Sequence, residues 1–223
     1  MAKSYLDKNQ RKFLGYFSGE KKLNQKFYFT GGTALSEYYL HHRRSIDLDF
    51  FCEEDFVPQS ITPYIKKAKT YLDFKEFDFQ QAFNRNIFQL IFAENSFLKV
   101  EFTYFPFTPI DKQPVLKHIK IDSLLDIAVN KVFTISQQAR GRDFFDLYYI
   151  VKKTKWSFED LLFKARLKFD WHIDRIQLGT NMMQVKKMKD DPLIGKYHDL
   201  DKVEKFILDQ AKKIGEKAFK KIS

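Results

Sequence analysis

The sequence predicts a first domain of helices and strands, of the α+β or α/β class, at residues 1–115, and a second, helical domain at residues 116–223. Two observations carry this prediction. Up to residue 104, segments with a helical apolar period alternate with short runs in which every second residue is apolar. After Pro106, Pro109 and Pro114 the period becomes helical and remains so. With 223 residues, 44% of them apolar, the chain has enough apolar side chains for a core.

Turn residues and apolar patterns bound the individual elements. In the first domain, helices are predicted at residues 8–18, 33–42 and 61–72, and strands at residues 27–30, 46–51, 74–80, 87–93 and 97–104. Glu94, Asn95 and Ser96 are typical of a hairpin turn between the last two strands. In the second domain, helices are predicted at residues 122–138, 142–152, 157–169 and 201–220, while the pattern of residues 170–200 is less defined.

Gly31 and Gly32 stand between the first strand and the second helix, where they predict a tight turn. Glycine allows the backbone to approach a ligand closely. The first N–H groups of a helix that begins at Thr33 have no partner within that helix. The segment is therefore expected to hold a phosphate or another anion.

Asp47 and Asp49 lie two residues apart in the run IDLDFF. A strand has a side-chain period of two, so both carboxylates are expected on one face and Ile46, Leu48 and Phe50 on the other. Paired carboxylates and a nearby phosphate site predict Mg²⁺, with Mn²⁺ as its alternative, and a nucleoside triphosphate as substrate. The alternative is a surface pair or one that forms salt bridges.

Glu101 is the candidate third carboxylate. In LKVEFTYF, alternation places Lys99, Glu101 and Thr103 on one face of a strand. Phosphoryl transfer from a metal-bound triphosphate usually needs a third acidic group. This group is either a metal ligand or the acceptor of the proton of the attacking hydroxyl. Glu101 can take either role if its strand neighbours that of Asp49. The alternative is an exposed strand carboxylate paired with Lys99 or another cation.

These motifs resemble a known family. Gly32-Thr33, a spacer of residues 34–46 and Asp47-Leu48-Asp49 resemble the signature of the DNA polymerase β-like nucleotidyltransferase superfamily. Within it, GGTAL and HRRSIDLDFF, at residues 31–35 and 42–51, are similar to the AbiEii/AbiGii toxin family, to which the MenT-type toxins are related. The resemblance implies a polymerase β-like domain with a mixed sheet. The C-terminal helical domain is expected to form the other wall of a cleft.

Lys131 lies on an apolar stripe of its helix with Leu124 and Ala128, where a lysine needs a phosphate or a carboxylate. The alternative is a lysine whose stem covers the core while its ammonium reaches solvent. By resemblance, Lys131 is the catalytic residue that contacts the triphosphate. The run ARGRDFFDLYYI resembles the closing motif of the family, in which Asp146 is the stronger catalytic candidate and Asp143 the second. The alternative for this run is an ordinary i,i+4 pair of Arg142 with Asp146.

The candidate site therefore has three overlapping sets of residues. The catalytic set is Asp47, Asp49, Glu101, Lys131 and Asp146, and the metal ligands are Asp47, Asp49 and Glu101. The nucleotide-binding set comprises Gly31, Gly32, Thr33, Arg43, Ser45, Lys131 and Asp143.

The resemblance implies that the protein transfers a nucleoside monophosphate from an NTP to an acceptor hydroxyl, and that the acceptor is tRNA. It also implies that the protein is the toxin of a toxin–antitoxin or abortive-infection system and has a cognate antitoxin. Two alternatives remain. One is an NTP- or RNA-binding module without transferase activity. The other is a nucleotidyltransferase that acts on a small molecule such as an aminoglycoside.

Composition excludes several other classes of protein. A single cysteine, Cys52, rules out an internal disulfide and fits a reducing compartment. No secretory leader and no long apolar run are apparent, which predicts a cytoplasmic protein without a membrane partner. The histidines lack zinc-ligand spacing, and the P-loop motif is missing. The net charge of +10 is compatible with a polyanionic partner such as RNA.

Overall fold

The computed structural model describes residues 4–93, 96–194, 197 and 199–219. The chain divides into two compact units, Met1–Ser123 and Leu124–Ser223. The first unit contains a mixed sheet with helices, and the second is built from helices. The fold class predicted from the sequence is therefore confirmed.

The first unit begins with two helices, alternates strands and helices as far as residue 72, and continues with five strands in succession. Its helices are α1 (Lys8–Gly19), α2 (Lys21–Lys26), α3 (Gly31–Ala34) and α4 (Thr62–Leu72), with a π-helical segment at Leu35–Leu40 and a 3-10 turn at Pro58–Ser60. Its strands are β1 (Tyr28–Thr30), β2 (Leu48–Cys52), β3 (Glu76–Ala82), β4 (Arg85–Ala93), β5 (Ser96–Tyr104), β6 (Val115–Leu116) and β7 (Ile119–Ile121).

Strand β2 lies at the centre of the sheet, whose order is β3-β4-β5-β2-β1-β7-β6. It pairs antiparallel with β1, where Thr30 faces Asp49, and parallel with β5, where Asp49 faces Glu101. Strands β1 and β7 are also parallel. The three remaining pairs, β3 with β4, β4 with β5 and β6 with β7, are antiparallel. Of the turn predicted at Glu94, Asn95 and Ser96, the first two residues lie outside the described part of the chain, whereas Ser96 is the first residue of β5. Strands β4 and β5 pair antiparallel.

Phenylalanine side chains fill one face of the sheet. Phe50, in β2, is wholly buried. Its ring centroid lies 4.2 Å from that of Phe17 in α1 and 5.2 Å from that of Phe102 in β5. Because side chains alternate along a strand, this packing directs Asp49 and Glu101 to the opposite face. The aromatic core therefore sets the orientation of the acidic residues.

The second unit contains five α-helices and a 3-10 helix among the residues described. They are α5 (Leu124–Gln138), α6 (Gly141–Thr154), α7 (Phe158–Phe169), α8 (Arg175–Met183), the 3-10 helix Gln184–Asp190 and α9 (Leu200–Phe219). Within residues 170–200, whose pattern is less defined, Arg175–Met183 and Gln184–Asp190 are thus helical. Asn181 of α8 is buried and donates its amide to the carbonyls of Ile135 and Ser136, at 3.1 and 2.9 Å, which satisfies the end of α5.

Buried charge also holds the second unit together. Lys168 of α7 and Asp126 of α5 form an ion pair of 2.6 Å, and both side chains are almost wholly inaccessible. Across the described part of the chain, the helices are too short or too polar to traverse a lipid bilayer.

Replacing Phe50 with alanine tests the role of the aromatic core. Removal of this buried ring is expected to lower the free energy of unfolding by about 3–5 kcal/mol, since a cavity remains where the ring packed. Urea unfolding followed by circular dichroism measures the change. Phe83→Ala is the matched control, because the Phe83 side chain is 99% exposed and its loss should alter stability by no more than about 0.5 kcal/mol. Equal losses in the two variants would contradict this account of the core.

Candidate functional site

Gly31 lies directly against the carboxylate of Asp49. Its φ is +75°, and a Cβ at this position would stand 2.2 Å from Oδ2 of Asp49. The contact follows from the register of β1 and β2, which pairs Thr30 with Asp49. Helix α3 begins at Gly31, so the glycines form its first turn instead of a turn that precedes it. Only glycine fits here, because the position requires both a left-handed backbone and free space beside the carboxylate.

Gly32 makes a similar approach to the segment that precedes β2. A Cβ on Gly32 would stand 2.6 Å from Nη2 of Arg43 and 3.0 Å from Oγ of Ser45. Arg43 is buried and donates Nη1 to the carbonyl of Arg44 at 2.9 Å. Thr33 donates its hydroxyl to the carbonyl of Asp47. The structure thus brings together the glycines, Thr33 and the segment that carries Arg43, Ser45 and Asp47.

Helix α1 supports this segment from a distant part of the sequence. Gln10 is buried and donates its side-chain amide to the carbonyl of Ser45 at 2.9 Å. The same side chain accepts a hydrogen bond from the backbone of Asp7, and Asp7 caps the helix in return. The position of Ser45 therefore depends on the cap of α1. The sequence pattern does not indicate this contact.

Three carboxylates of the first unit, those of Asp47, Asp49 and Glu101, form what we call the acidic cluster. Glu101 lies beside Asp49 in the register of β2 and β5. Lys99 lies between two members of the cluster, with Nζ 3.3 Å from Oδ2 of Asp47 and 3.6 Å from Oε2 of Glu101. The negative charges are therefore partly compensated within the unit.

Arg85 is the main partner of Glu101. Its Nε and Nη2 donate to Oε1 and Oε2 of Glu101, each at 2.6 Å, and Thr103 donates to Oε1 at 2.9 Å. Burial alone would raise the pKa of Glu101, but the hydrogen bonds and charge of Arg85, with the charge of Lys99, hold it below its usual range. Glu101 is therefore paired with a cation, as in the alternative for this residue, but it is buried and not exposed.

Asp47 and Asp49 have the donor chemistry that a hard divalent cation prefers. Both supply carboxylate oxygens, and the missing side chain of Gly31 leaves space at Oδ2 of Asp49 that a Cβ would fill. These two residues therefore fit a metal. Glu101 differs from them, because both of its oxygens are engaged by Arg85. Among the residues described, no group of three or more histidines, cysteines, aspartates and glutamates is arranged to hold a metal ion.

A buried aspartate adjoins the glycine segment on the side of β7. Asp122 follows β7 and accepts a hydrogen bond from the hydroxyl of Thr30 at 2.7 Å through Oδ2. Its backbone carbonyl accepts the hydroxyl of Tyr39, also at 2.7 Å. These bonds tie the start of α3 and the π-helical segment to the end of β7. The sequence pattern predicts a helix from Asp122, whereas α5 begins at Leu124.

In the second unit, Lys131, Asp143 and Asp146 form what we call the lysine cluster. Nζ of Lys131 lies 2.6 Å from Oδ1 of Asp143 and 2.8 Å from Oδ2 of Asp146. Both carboxylates are wholly buried, and the lysine side chain is 10% exposed. The ammonium is therefore held between two carboxylates. The alternative for this residue, an ammonium that extends freely into solvent, is not observed.

Arg140 completes the charge balance of the lysine cluster. Its Nε lies 3.0 Å from Oδ2 of Asp143. Burial alone would raise the pKa of Asp143, but the charges of Lys131 and Arg140 hold it below its usual range. The cluster thus places two cations against two carboxylates, as its burial requires.

Sequence reasoning missed Arg85, the partner of Glu101. The strand was expected to begin at Ile87, but β4 begins at Arg85. Arg85 lies two residues before Ile87, on the same face of the strand, and Ile87 pairs with Glu101. This spacing was the sequence signal that could have indicated Arg85. That signal is informative only once the pairing of β4 and β5 is known.

Comparison with known proteins places the chain in a family. The family model described as "Nucleotidyl transferase AbiEii toxin, Type IV TA system" matches residues 16–222. A curated protein of Aquifex aeolicus, described as uncharacterized protein aq_aa25, is 32% identical over 145 residues. That match covers 60% of this chain and 62% of the A. aeolicus protein, so the chain spans less than two thirds of its relative.

Two crystal structures from Helicobacter pylori share the fold. A candidate nucleotidyltransferase is 17% identical, with a TM-score of 0.62, over 96% of this chain and 98% of that one. The protein JHP933 is 18% identical, with a TM-score of 0.58, over 96% and 93% of the two chains. At this level of identity, the likeness shows the fold alone.

Replacing Gly31 with alanine tests its contact with Asp49. The variant is expected to lose at least about 1–2 kcal/mol of unfolding free energy, since a left-handed backbone disfavours a Cβ that would also meet the carboxylate. Gly179→Ala is the control, because among the residues described nothing beyond its chain neighbours and the backbone of α8 lies within 4 Å of its added Cβ. The control should gain about 0.5–1 kcal/mol. Thermal and urea unfolding measure both, and a stabilised Gly31→Ala would refute the contact.

Replacing Lys131 with methionine tests the lysine cluster. The variant should lose about 3–5 kcal/mol of unfolding free energy at neutral pH, because two buried carboxylates lose a cation. In the parent, the depressed pKa of Asp143 stabilises the fold at neutral pH, and this contribution is lost as the pH falls through that pKa. In the variant the pKa of Asp143 should rise, so protonation relieves the buried charge.

The stability difference between Lys131→Met and the parent should therefore narrow between neutral pH and about pH 4. Urea unfolding at several pH values measures it. Lys186→Met is the control, since Lys186 is exposed. A difference that stays constant with pH would contradict the charge argument.

Proposed function

Since the chain belongs to the AbiEii nucleotidyl transferase toxin family, we propose that it transfers a nucleoside monophosphate from an NTP to an acceptor hydroxyl, with release of pyrophosphate. The observation that carries this proposal is the contact of Gly31 with Asp49, next to Asp47 in the acidic cluster. It sets the carboxylate of Asp49 against the first turn of a helix, and Thr33 of the same turn donates to the backbone carbonyl of Asp47. Carboxylates hold a metal ion and helix N–H groups hold phosphate, so the arrangement suits a metal-bound triphosphate.

Asp47 and Asp49 are the residues that would hold a divalent cation, with Mg²⁺ as the physiological ion and Mn²⁺ as its substitute. When bound, the cation neutralises charge on the phosphates and polarises the phosphoryl oxygens. The protein side chains position the reactants. Gly31, Gly32 and Thr33 present backbone N–H groups to phosphate oxygens, while Arg43 and Ser45 steady the segment that carries Asp47.

We assign the lysine cluster to the same reaction. Lys131 would neutralise the triphosphate, and Asp146 and Asp143 would hold its ammonium in place, at the 2.8 and 2.6 Å separations seen here. A fixed ammonium loses little freedom when a phosphate binds, so it can stabilise charge that develops on the leaving group. Family resemblance and the two short ion pairs support this role.

The acceptor in this proposal is tRNA. The net charge of +10 favours a polyanionic acceptor, and the resemblance to toxins that modify tRNA gives the class of RNA. Such a reaction would take place in the cytoplasm, where NTPs and tRNA are found. The family description, a type IV toxin–antitoxin system, supports a biological role as a toxin opposed by a cognate antitoxin.

Replacing Asp47 or Asp49 with asparagine tests the proposed reaction. Each variant is expected to lower the transfer of labelled NMP to total tRNA by more than about 100-fold, since the metal loses a charged ligand. Asp78→Asn is the matched control, because Asp78 is an exposed residue of β3. It should retain the parent rate. Transfer by the double variant Asp47→Asn/Asp49→Asn at the parent rate would exclude the mechanism.

A further inference from the structure

The two side chains of the Arg85–Glu101 ion pair differ in how far they are exposed to solvent. The Glu101 side chain is 5% exposed, while that of Arg85 is 45% exposed. The buried partner is thus shielded, and the guanidinium lies at the surface of the acidic cluster. A guanidinium carries more N–H donors than the two that Glu101 accepts. Its planar fork suits phosphate oxygens as well as carboxylates.

Arg85 also lies within the field of the residues assigned to the metal. Its pKa is raised, first by the hydrogen bonds to Glu101 and then by the charges of Glu101, Asp49 and Asp47. Register explains this proximity, because Ile87 pairs with Glu101 and Glu101 pairs with Asp49. Arg85 is one same-face step from Ile87 along β4. Phosphates of a nucleotide held at Asp47 and Asp49 would therefore lie near a cation that is already oriented.

We propose that Arg85 binds the triphosphate of the NTP, and that Glu101 is a positioning residue for Arg85 and not a third metal ligand. This inference rests on the proposed function. Ligation of a metal by Glu101 would require oxygens that already accept two hydrogen bonds from Arg85 and one from Thr103 to rearrange around a further partner. Holding Arg85 needs no such rearrangement.

Inorganic tripolyphosphate is a probe of Arg85 that is independent of the base. In saturating Mn²⁺, Arg85→Gln should weaken its binding about 10- to 100-fold, as measured by calorimetry, because charged hydrogen bonds are lost. Arg85→Lys should be intermediate, since it keeps the charge without the fork. Unchanged binding in Arg85→Gln overturns the proposal. A loss confined to a short single-stranded RNA does so too, because it assigns Arg85 to the acceptor.

Glu101→Asp tests the positioning role at constant charge. A carboxylate shorter by one methylene should spoil the fork and weaken tripolyphosphate binding about 3- to 10-fold, with no further loss when Arg85 is already glutamine. An equal loss in the Arg85→Gln background would show that Glu101 acts independently of Arg85 and would overturn the proposal.

Binding of Mn²⁺ alone separates a metal ligand from a positioning residue. The double variant Arg85→Gln/Glu101→Gln removes one charge of each sign, so its Mn²⁺ affinity should stay within about threefold of the parent. Asp49→Asn should lose at least about tenfold. A double variant as weak as Asp49→Asn would make Glu101 a ligand and overturn the proposal, while the proposed function would stand.

One result and one control distinguish the role of Arg85 from the proposed metal site. Mn²⁺ binding that is insensitive to Asp49→Asn would contradict the proposed function itself. The matched control is Arg175→Gln/Glu159→Gln, which removes a comparable two-bond pair of 3.0 and 3.1 Å from the second unit. It should leave the affinities for Mn²⁺ and tripolyphosphate unchanged. Circular dichroism establishes that each variant is folded.

Discussion

The pairing of β2 with β1 on one side and β5 on the other is the constraint on which the acidic cluster depends. It sets Asp49 opposite both Thr30 and Glu101. A shift of one residue would send these side chains to the other face of the sheet. The buried ring of Phe50 prevents that shift, because its packing against Phe17 and Phe102 would be lost. The hydrophobic core and the chemistry are thus two faces of one strand.

Both clusters already contain compensated charge before any ligand is considered. In the first unit, Arg85 and Lys99 lie against Glu101 and Asp47, and in the second, Lys131 lies between two buried aspartates. Uncompensated carboxylates at such depth would be costly. A cation or a phosphate that enters either cluster therefore competes with an existing ion pair. Binding becomes an exchange of partners, which links affinity to how firmly each pair is held.

Much of the fold could be read from local patterns, and the departures have physical causes. The helix expected at residues 33–42 begins at Gly31 and continues as a π-helical segment from Leu35. Periodicity does not distinguish π from α geometry over so few residues. The strand expected at Ile87 begins at Arg85, because a polar start gives no apolar alternation. Of the candidate site, the grouping of Asp47, Asp49 and the glycines was predictable, while Arg85, Gln10 and Asp122 were not.

The sequence by itself determined the order of the main elements, the glycines beside the start of a helix and the alternation that directs Asp49 away from Leu48 and Phe50. These features depend on backbone sterics and on side-chain periods that act over a few residues. Only the tertiary structure decided which cations compensate Glu101 and Asp47. Arg85 and Glu101 are 16 residues apart, and Lys99 and Asp47 are 52 apart, so their contacts depend on strand order and register. Those are set by the packing of the whole sheet and not by any local pattern.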